Sequence, residues 1–80
     1  MQINVLLFAG YADAFGAPQI TVPLDDGATV RDLLLTVKRM AAGRALHLSP
    51  LVAVNQSYAK PDAHINAGDE VALIPPVAGG

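Results

Sequence analysis

The side chains able to do chemistry in this sequence are few and scattered. His47 and His64, the two imidazoles, fall in separate predicted loops with no second ligand type beside them, so they read as isolated surface histidines rather than a metal pair. Asp25 and Asp26 sit in a predicted turn, and Asp69 and Glu70 at the entry to a predicted strand; such carboxylates hydrogen-bond their own backbone more often than they work as an acid and base pair. Ser49 and Ser57 lack a neighbouring histidine-plus-acid pattern, and no glycine-rich phosphate loop is present. With no cysteine in 80 residues, a thiolate nucleophile, a thiolate metal site and a disulfide are all excluded. The group that remains is the terminal carboxylate of Gly80, at the end of the stretch PPVAGG.

Each residue type in that stretch suits a chain end that enters a narrow channel. Pro75 and Pro76 fix their own φ and bias the residue before them toward extended geometry. Val77 and Ala78 continue a slim stalk, and Gly79 and Gly80 remove side chains from the tip, which lets a second molecule approach the backbone. From Pro75 to Gly80 the chain can reach at most about 20 Å at about 3.3 Å per residue, enough to leave one domain and enter a site in another. A slack tail is the alternative reading of the same composition.

The rest of the sequence must build what holds this tail. QINVLLF alternates with period two, placing Ile3, Val5 and Leu7 on one face and Gln2, Asn4, Leu6 and Phe8 on the other: a first strand. GYADAFGAP reads as a break, and QITVPL as a second strand paired with the first, with Pro23 suited to an edge or a strand end. Thr29 followed by Asp32 forms a capping-box pattern, after which Val30, Leu33, Leu34, Val37 and Met40 or Ala41 make one apolar helical stripe that stops at Gly43. LVAVN is a largely buried strand, SYAK a short edge strand, and EVALI a last strand with Val71 and Leu73 facing opposite to Ala72 and Ile74. Two strands, one helix and later strands do not make a doubly wound sheet. They predict an α+β fold, the ubiquitin-like β-grasp, a mixed sheet with one helix packed on one face. The boundaries are a domain over 1–74 and an extended C-terminal tail over 75–80.

Composition sets the partners. The chain is 52% hydrophobic and 15% charged, enough apolar material for a small core with some left for the surface. Five fixed cations and a net charge of −2 offer no electrostatic footprint for nucleic acid, so protein partners are expected. The opening MQINVLLFAGYADA lacks a basic residue before its apolar stretch and alternates from the start, so it reads as a strand rather than a signal peptide. No run approaches the roughly 18 apolar residues of a membrane span, and a cytoplasmic protein is expected. A domain this thin is also expected to lack a ligand cavity of about 300 Å³ or more.

VNQ, then GDEVA, then PPVAGG, with an N-terminal VLLFA in a chain of this length, resembles the small sulfur-carrier subunit of molybdopterin synthase, the MoaD-like branch of the ubiquitin-like sulfur carriers. The double proline before the tail favours that branch over the thiamine-pathway carrier, which also ends in two glycines. The resemblance implies a non-catalytic, sulfur-donating subunit of a two-subunit enzyme, a heterotetramer when assembled. An adenylyltransferase related to ubiquitin activators would use ATP to turn the Gly80 carboxylate into an acyl-adenylate, and a sulfur donor would convert it to a thiocarboxylate. The tail would then enter the large catalytic subunit of molybdopterin synthase and give sulfur for the dithiolene of the molybdenum cofactor. The resemblance implies no cofactor or metal bound by the chain itself. It assigns Gly80 to carry sulfur, Gly79 to slim the approach, Pro75, Pro76, Val77 and Ala78 to the stalk, and Phe8, Tyr58 and Ile74 to partner contact on the open sheet face. A carrier for thiamine or another pathway, and a β-grasp binding module whose tail is idle, are the competing readings.

Overall fold

A computed structural model describes residues 1–40 and 50–76. Its elements are β1 (Gln2–Leu7), α1 (Gly10–Phe15), β2 (Gln19–Pro23), α2 (Val30–Arg39), β3 (Leu51–Val54), β4 (Ser57–Tyr58) and β5 (Val71–Ile74). They form one five-stranded sheet in the order β2-β1-β5-β3-β4. β1 runs parallel to β5 with Leu7 beside Leu73, and every other neighbouring pair is antiparallel. This is the mixed sheet of the β-grasp. Among the described residues no helix is long and apolar enough to cross a membrane.

The alternation in β1 and β5 decides which face is covered. Ile3, Val5, Leu7, Val71 and Leu73 are buried, and Val30, Leu33 and Val37 of α2 pack into the same cluster with Ile65 and Val22. The predicted helical stripe is therefore the buried one, with Leu34 and Met40 half-buried at its margin. The capping box is formed: the Asp32 amide donates to the Thr29 hydroxyl at 3.3 Å, and the Thr29 amide donates to the Asp32 carboxylate at 2.9 Å.

Four local readings change. GYADAFGAP is not merely a break: Tyr11 to Phe15 supply a run free of β-branched residues, and Tyr11 is buried as its anchor. Gly16 ends this helix in the left-handed region at φ 69°, its amide donating to the carbonyls of Ala12 and Asp13. α2 ends at Arg39, because Met40 takes up an extended backbone while its amide closes the last turn on Val37 at 3.0 Å; the expected stop at Gly43 lies outside the described residues. β1 ends at Leu7, one residue before Phe8. Asn55 and Gln56 do not simply end a strand. Both have positive φ, the two-residue primed turn whose twist suits a tight hairpin, and they join β3 to β4 with Val54 opposite Ser57.

Candidate functional site: the open sheet face and the exit of the chain

The face of the sheet away from α2 has no element over it among the described residues, and the side chains that alternate with the core lie there. Across the strands, Leu6 is paired with Ala72, Ala72 with Ala53, and Ala53 with Tyr58, a transverse row; Ile74 is paired with Leu51 in the next row. Phe8 follows Leu6 by two and meets the Ile74 end of that next row. Leu6, Phe8, Ala53, Tyr58, Ala72 and Ile74 line a shallow groove of about 280 Å³. Phe8 is 48% exposed and Tyr58 72%, large apolar surface left in water by a chain whose core is otherwise closed.

Phe8, Tyr58 and Ile74, expected on one face, are thus brought together. Leu6, Ala53, Ala72 and Leu51 belong to the same surface and were not singled out. The signal for two of them was already in the alternation, since Leu6 precedes Phe8 by two positions and Ala72 precedes Ile74 by two.

Two local devices fix the groove's edges. After Phe8 the chain reverses at Ala9, whose φ of 50° and ψ of −129° belong to a region that glycine fills readily and alanine does not, and the Tyr11 amide closes the turn on the Phe8 carbonyl at 3.1 Å. At the other edge the Asn55 side chain ties the hairpin turn to the start of β5: its Oδ1 accepts from the Glu70 amide at 3.0 Å, and its Nδ2 donates to Asp69 at 3.1 Å. The second Asp69 oxygen accepts from the Asn66 amide at 2.8 Å. That backbone bond first, and the Asn55 amide second, hold the Asp69 carboxyl below its ordinary value.

β5 lies between β1 and β3, and its last residue, Ile74, hands the chain to Pro75 and Pro76 beside the groove; both prolines are half-buried. Val77, Ala78, Gly79 and Gly80 lie outside the described residues, as do His47 and Ser49. Of the polar candidates among the described residues, His64 and Asp69 do structural work. His64 Nδ1 lies 2.9 Å from the Gly27 carbonyl, and Asp32 and Asp69 are engaged as helix cap and turn clamp. Among the described residues no group of three or more histidines and carboxylates could hold a metal ion.

The expectation of no ligand-sized cavity does not hold in its simple form. An open depression of about 640 Å³ lies between α2, the β2–α2 loop and the start of β1, and shares no residue with the groove. It is a dish between surface elements rather than an interior cavity, which is why one sheet and one helix can produce it.

A β-grasp domain with a bare apolar sheet face, whose last strand runs into Pro75 and Pro76 beside that face, has the architecture of the ubiquitin-like proteins. The chain is a member of the ThiS family, whose model matches residues 5–80. It is 41% identical to the molybdopterin synthase sulfur carrier subunit of Chlamydomonas reinhardtii, with 100% of each chain covered. Among solved structures it is similar to the small archaeal modifier protein 1 of Haloferax volcanii, with 31% identity, a TM-score of 0.79, and 95% of this chain and 98% of that one covered. The fold alone is shared, at 18% identity and a TM-score of 0.70 over 100% of both chains, with a chain from the complex of subunits 1 and 2 of the molybdopterin-converting factor of Helicobacter pylori.

Proposed function

We propose that this chain is the sulfur carrier subunit of a molybdopterin synthase. The observation that carries the reading is the position of the chain exit: the tail leaves from a central strand, at the edge of the one bare apolar face. A partner that covers Leu6, Phe8, Tyr58 and Ile74 receives Pro75 and Pro76 at a fixed point, and the stalk of Val77 and Ala78 then directs Gly79 and Gly80 into its active site. The name carried by the relative from Chlamydomonas reinhardtii supports the pathway, and the complex from Helicobacter pylori supports a two-subunit assembly.

In this role the domain supplies no acid, base or metal. An adenylyltransferase joins the Gly80 carboxylate oxygen to the α-phosphorus of ATP and releases pyrophosphate. A donor of sulfide-level sulfur then displaces AMP from the acyl carbon, leaving a thiocarboxylate; its sulfur passes to the pterin precursor in the large subunit, and water at the acyl carbon restores the Gly80 carboxylate. The chain's own contribution is placement and clearance. Both partners need the tail, so both meet the same sheet face and take turns on it.

Intact-mass spectrometry after incubation with the adenylyltransferase, ATP and a sulfur source tests this directly. The expected product has one carboxylate oxygen replaced by sulfur, and a chain lacking Gly79 and Gly80 stays unmodified while its unfolding midpoint is unchanged to within about 0.5 kcal/mol. An unmodified full-length chain with every adenylyltransferase tried defeats the proposal. The likeness to an archaeal modifier protein favours one second reading, in which a lysine amine attacks the same acyl-adenylate, releasing AMP and forming an amide. Adducts joined through Gly80 to lysines of other proteins, in place of the thiocarboxylate, would establish it.

A further inference from the structure

Among the described residues four large apolar side chains are exposed: Phe8, Leu51 and Tyr58 belong to the bare sheet face, and the fourth, Leu35, is 49% exposed on α2, which packs on the other face. It stands near the middle of α2, a ten-residue helix about 15 Å long. The charges around it are sorted by end. At the N-terminal end lie Asp25, Asp26 and Asp32, partly offset by the Arg31 guanidinium and by the Met1 ammonium, which donates to the Leu24 carbonyl at 2.7 Å; at the C-terminal end lie Lys38 and Arg39. Pro23, Leu24, Asp25, Asp26, Leu35 and Arg39 all line the depression of about 640 Å³ between the helix and the preceding loop.

Helix-dipole compensation explains a carboxylate at the start of α2 and cations at its end. It explains neither an exposed leucine midway nor an acidic loop outside the helix that shares one concave surface with Arg39. A surface that is acidic at one end, basic at the other and apolar at its centre is complementary to itself when turned over. A two-fold axis near Leu35 sets two copies of α2 antiparallel, places Lys38 and Arg39 of each against Asp25 and Asp26 of the other, and brings the two Leu35 side chains together over the depressions.

We infer that this surface, centred on Leu35, is a self-association site whose occupant is a second copy of this chain. The contact is small, in the range of weak and transient interfaces, so it forms at high protein concentration and weakens with salt. It lies on the helix side of the sheet, away from the sheet groove, and leaves Phe8, Tyr58 and Ile74 uncovered in both copies.

The test uses the full chain at low ionic strength, followed by amide chemical shifts from about 0.05 to about 1 mM and by sedimentation equilibrium. Concentration-dependent shifts are expected at Asp25, Asp26, Leu35, Thr36 and Arg39, collapsing as salt is raised. R39E and D26R each put like charges together twice in their own dimers, and each is expected to weaken self-association by about tenfold or more. Mixing the two variants makes both 26–39 pairs complementary again, so association returns in the mixture alone. Circular dichroism of each variant separates a lost contact from a lost fold, and Leu35→Lys provides a second way to remove the contact. No concentration dependence in this range, shifts that fall on Phe8, Tyr58 and Ile74 instead, or a mixture that associates no better than its components would each overturn the inference.

Discussion

The two faces of the sheet are made by the same strands, from residues one position apart, yet they do opposite things. In β5, Val71 and Leu73 are fully buried under α2, while Ile74, next along the chain, is half-buried and faces the groove. In β1, Leu7 is core and Leu6 lines the bare face, as does Phe8 just past the strand's end. Similar apolar side chains therefore stabilise the fold or present a docking surface according to strand phase alone. The lesson is that hydrophobicity does not mark the site here. What marks it is hydrophobicity on the face that the single helix cannot reach.

The largest test of that division is a pair of neighbouring truncations. Leu73→Ala opens a cavity in the closed core and is expected to cost about 2–5 kcal/mol of stability, a large part of what a domain this small has. Ile74→Ala, one residue on, is expected to cost about 1 kcal/mol, because part of its surface is already in water. Urea midpoints measure both, and equal losses would mean that the bare face is part of the core. Next in size is the reciprocal experiment. Tyr58→Ala and Phe8→Ala are expected to weaken binding to the large subunit by about 2 kcal/mol each, as central aromatic anchors do, while shifting the chain's own stability by about 0.5 kcal/mol at most. Calorimetric titration alongside thermal melts reads the two effects separately, and an aromatic truncation that unfolds the chain without touching affinity would reverse the assignment.

Ala9 stands where the two faces meet, since it turns the chain directly after Phe8. Its positive φ stores strain that glycine would not, so Ala9→Gly is expected to stabilise the domain by about 1 kcal/mol. Gly10, one residue later, does not relieve it, because the turn needs the unusual conformation at its first central position. A destabilised Ala9→Gly chain would show that the turn is not held in that conformation.

These residues also show what the sequence revealed and what it withheld. The period-two alternation of QINVLLF and EVALI assigned Leu7, Val71 and Leu73 to the core and Phe8 and Ile74 to the other face, because a strand's side-chain phase follows from covalent geometry. Thr29 and Asp32 announced the start of α2 through a local exchange of hydrogen bonds, which sequence spacing captures. The helix α1 was missed because its flanking glycines read as punctuation, and its six residues hold their shape through Tyr11 reaching the core, a long-range event. Tyr58 came from the family resemblance rather than from any periodicity, and Ala53 was not singled out, because both join the site through strand pairing, and pairing across the order β2-β1-β5-β3-β4 is not a property of any one segment. The dish beside Leu35 depends on how a loop and a helix stand apart, which no periodicity describes.

The smallest expected effect is a pH dependence of stability carried by the cap of α2 and by the clamp at the groove's edge. Asp32 accepts from the Thr29 amide and hydroxyl, and the amide is the main reason its carboxyl is held below the ordinary value, with Arg31 and His64 adding to it. Asp69 is held low in the same direction by the Asn66 amide and then the Asn55 side chain. A carboxylate whose folded pKa is depressed stabilises the fold at every pH above its unfolded value, near 3.9, and that stabilisation is lost as pH falls through the lower folded value. The urea midpoint should therefore stay level, as far as these two groups are concerned, from neutrality to about pH 5 and fall below about pH 4. In the doubly substituted Asp32→Asn, Asp69→Asn chain the fall should be shallower. Both carboxyls are held below their ordinary value and stay ionised from pH 5 to pH 7, so partner affinity measured over that range should not follow them, even though the Asp69 clamp sits at the groove's edge. If the substitutions leave the acid limb of the stability curve unchanged, the cap and the clamp are not what holds α2 and the β5 turn in place.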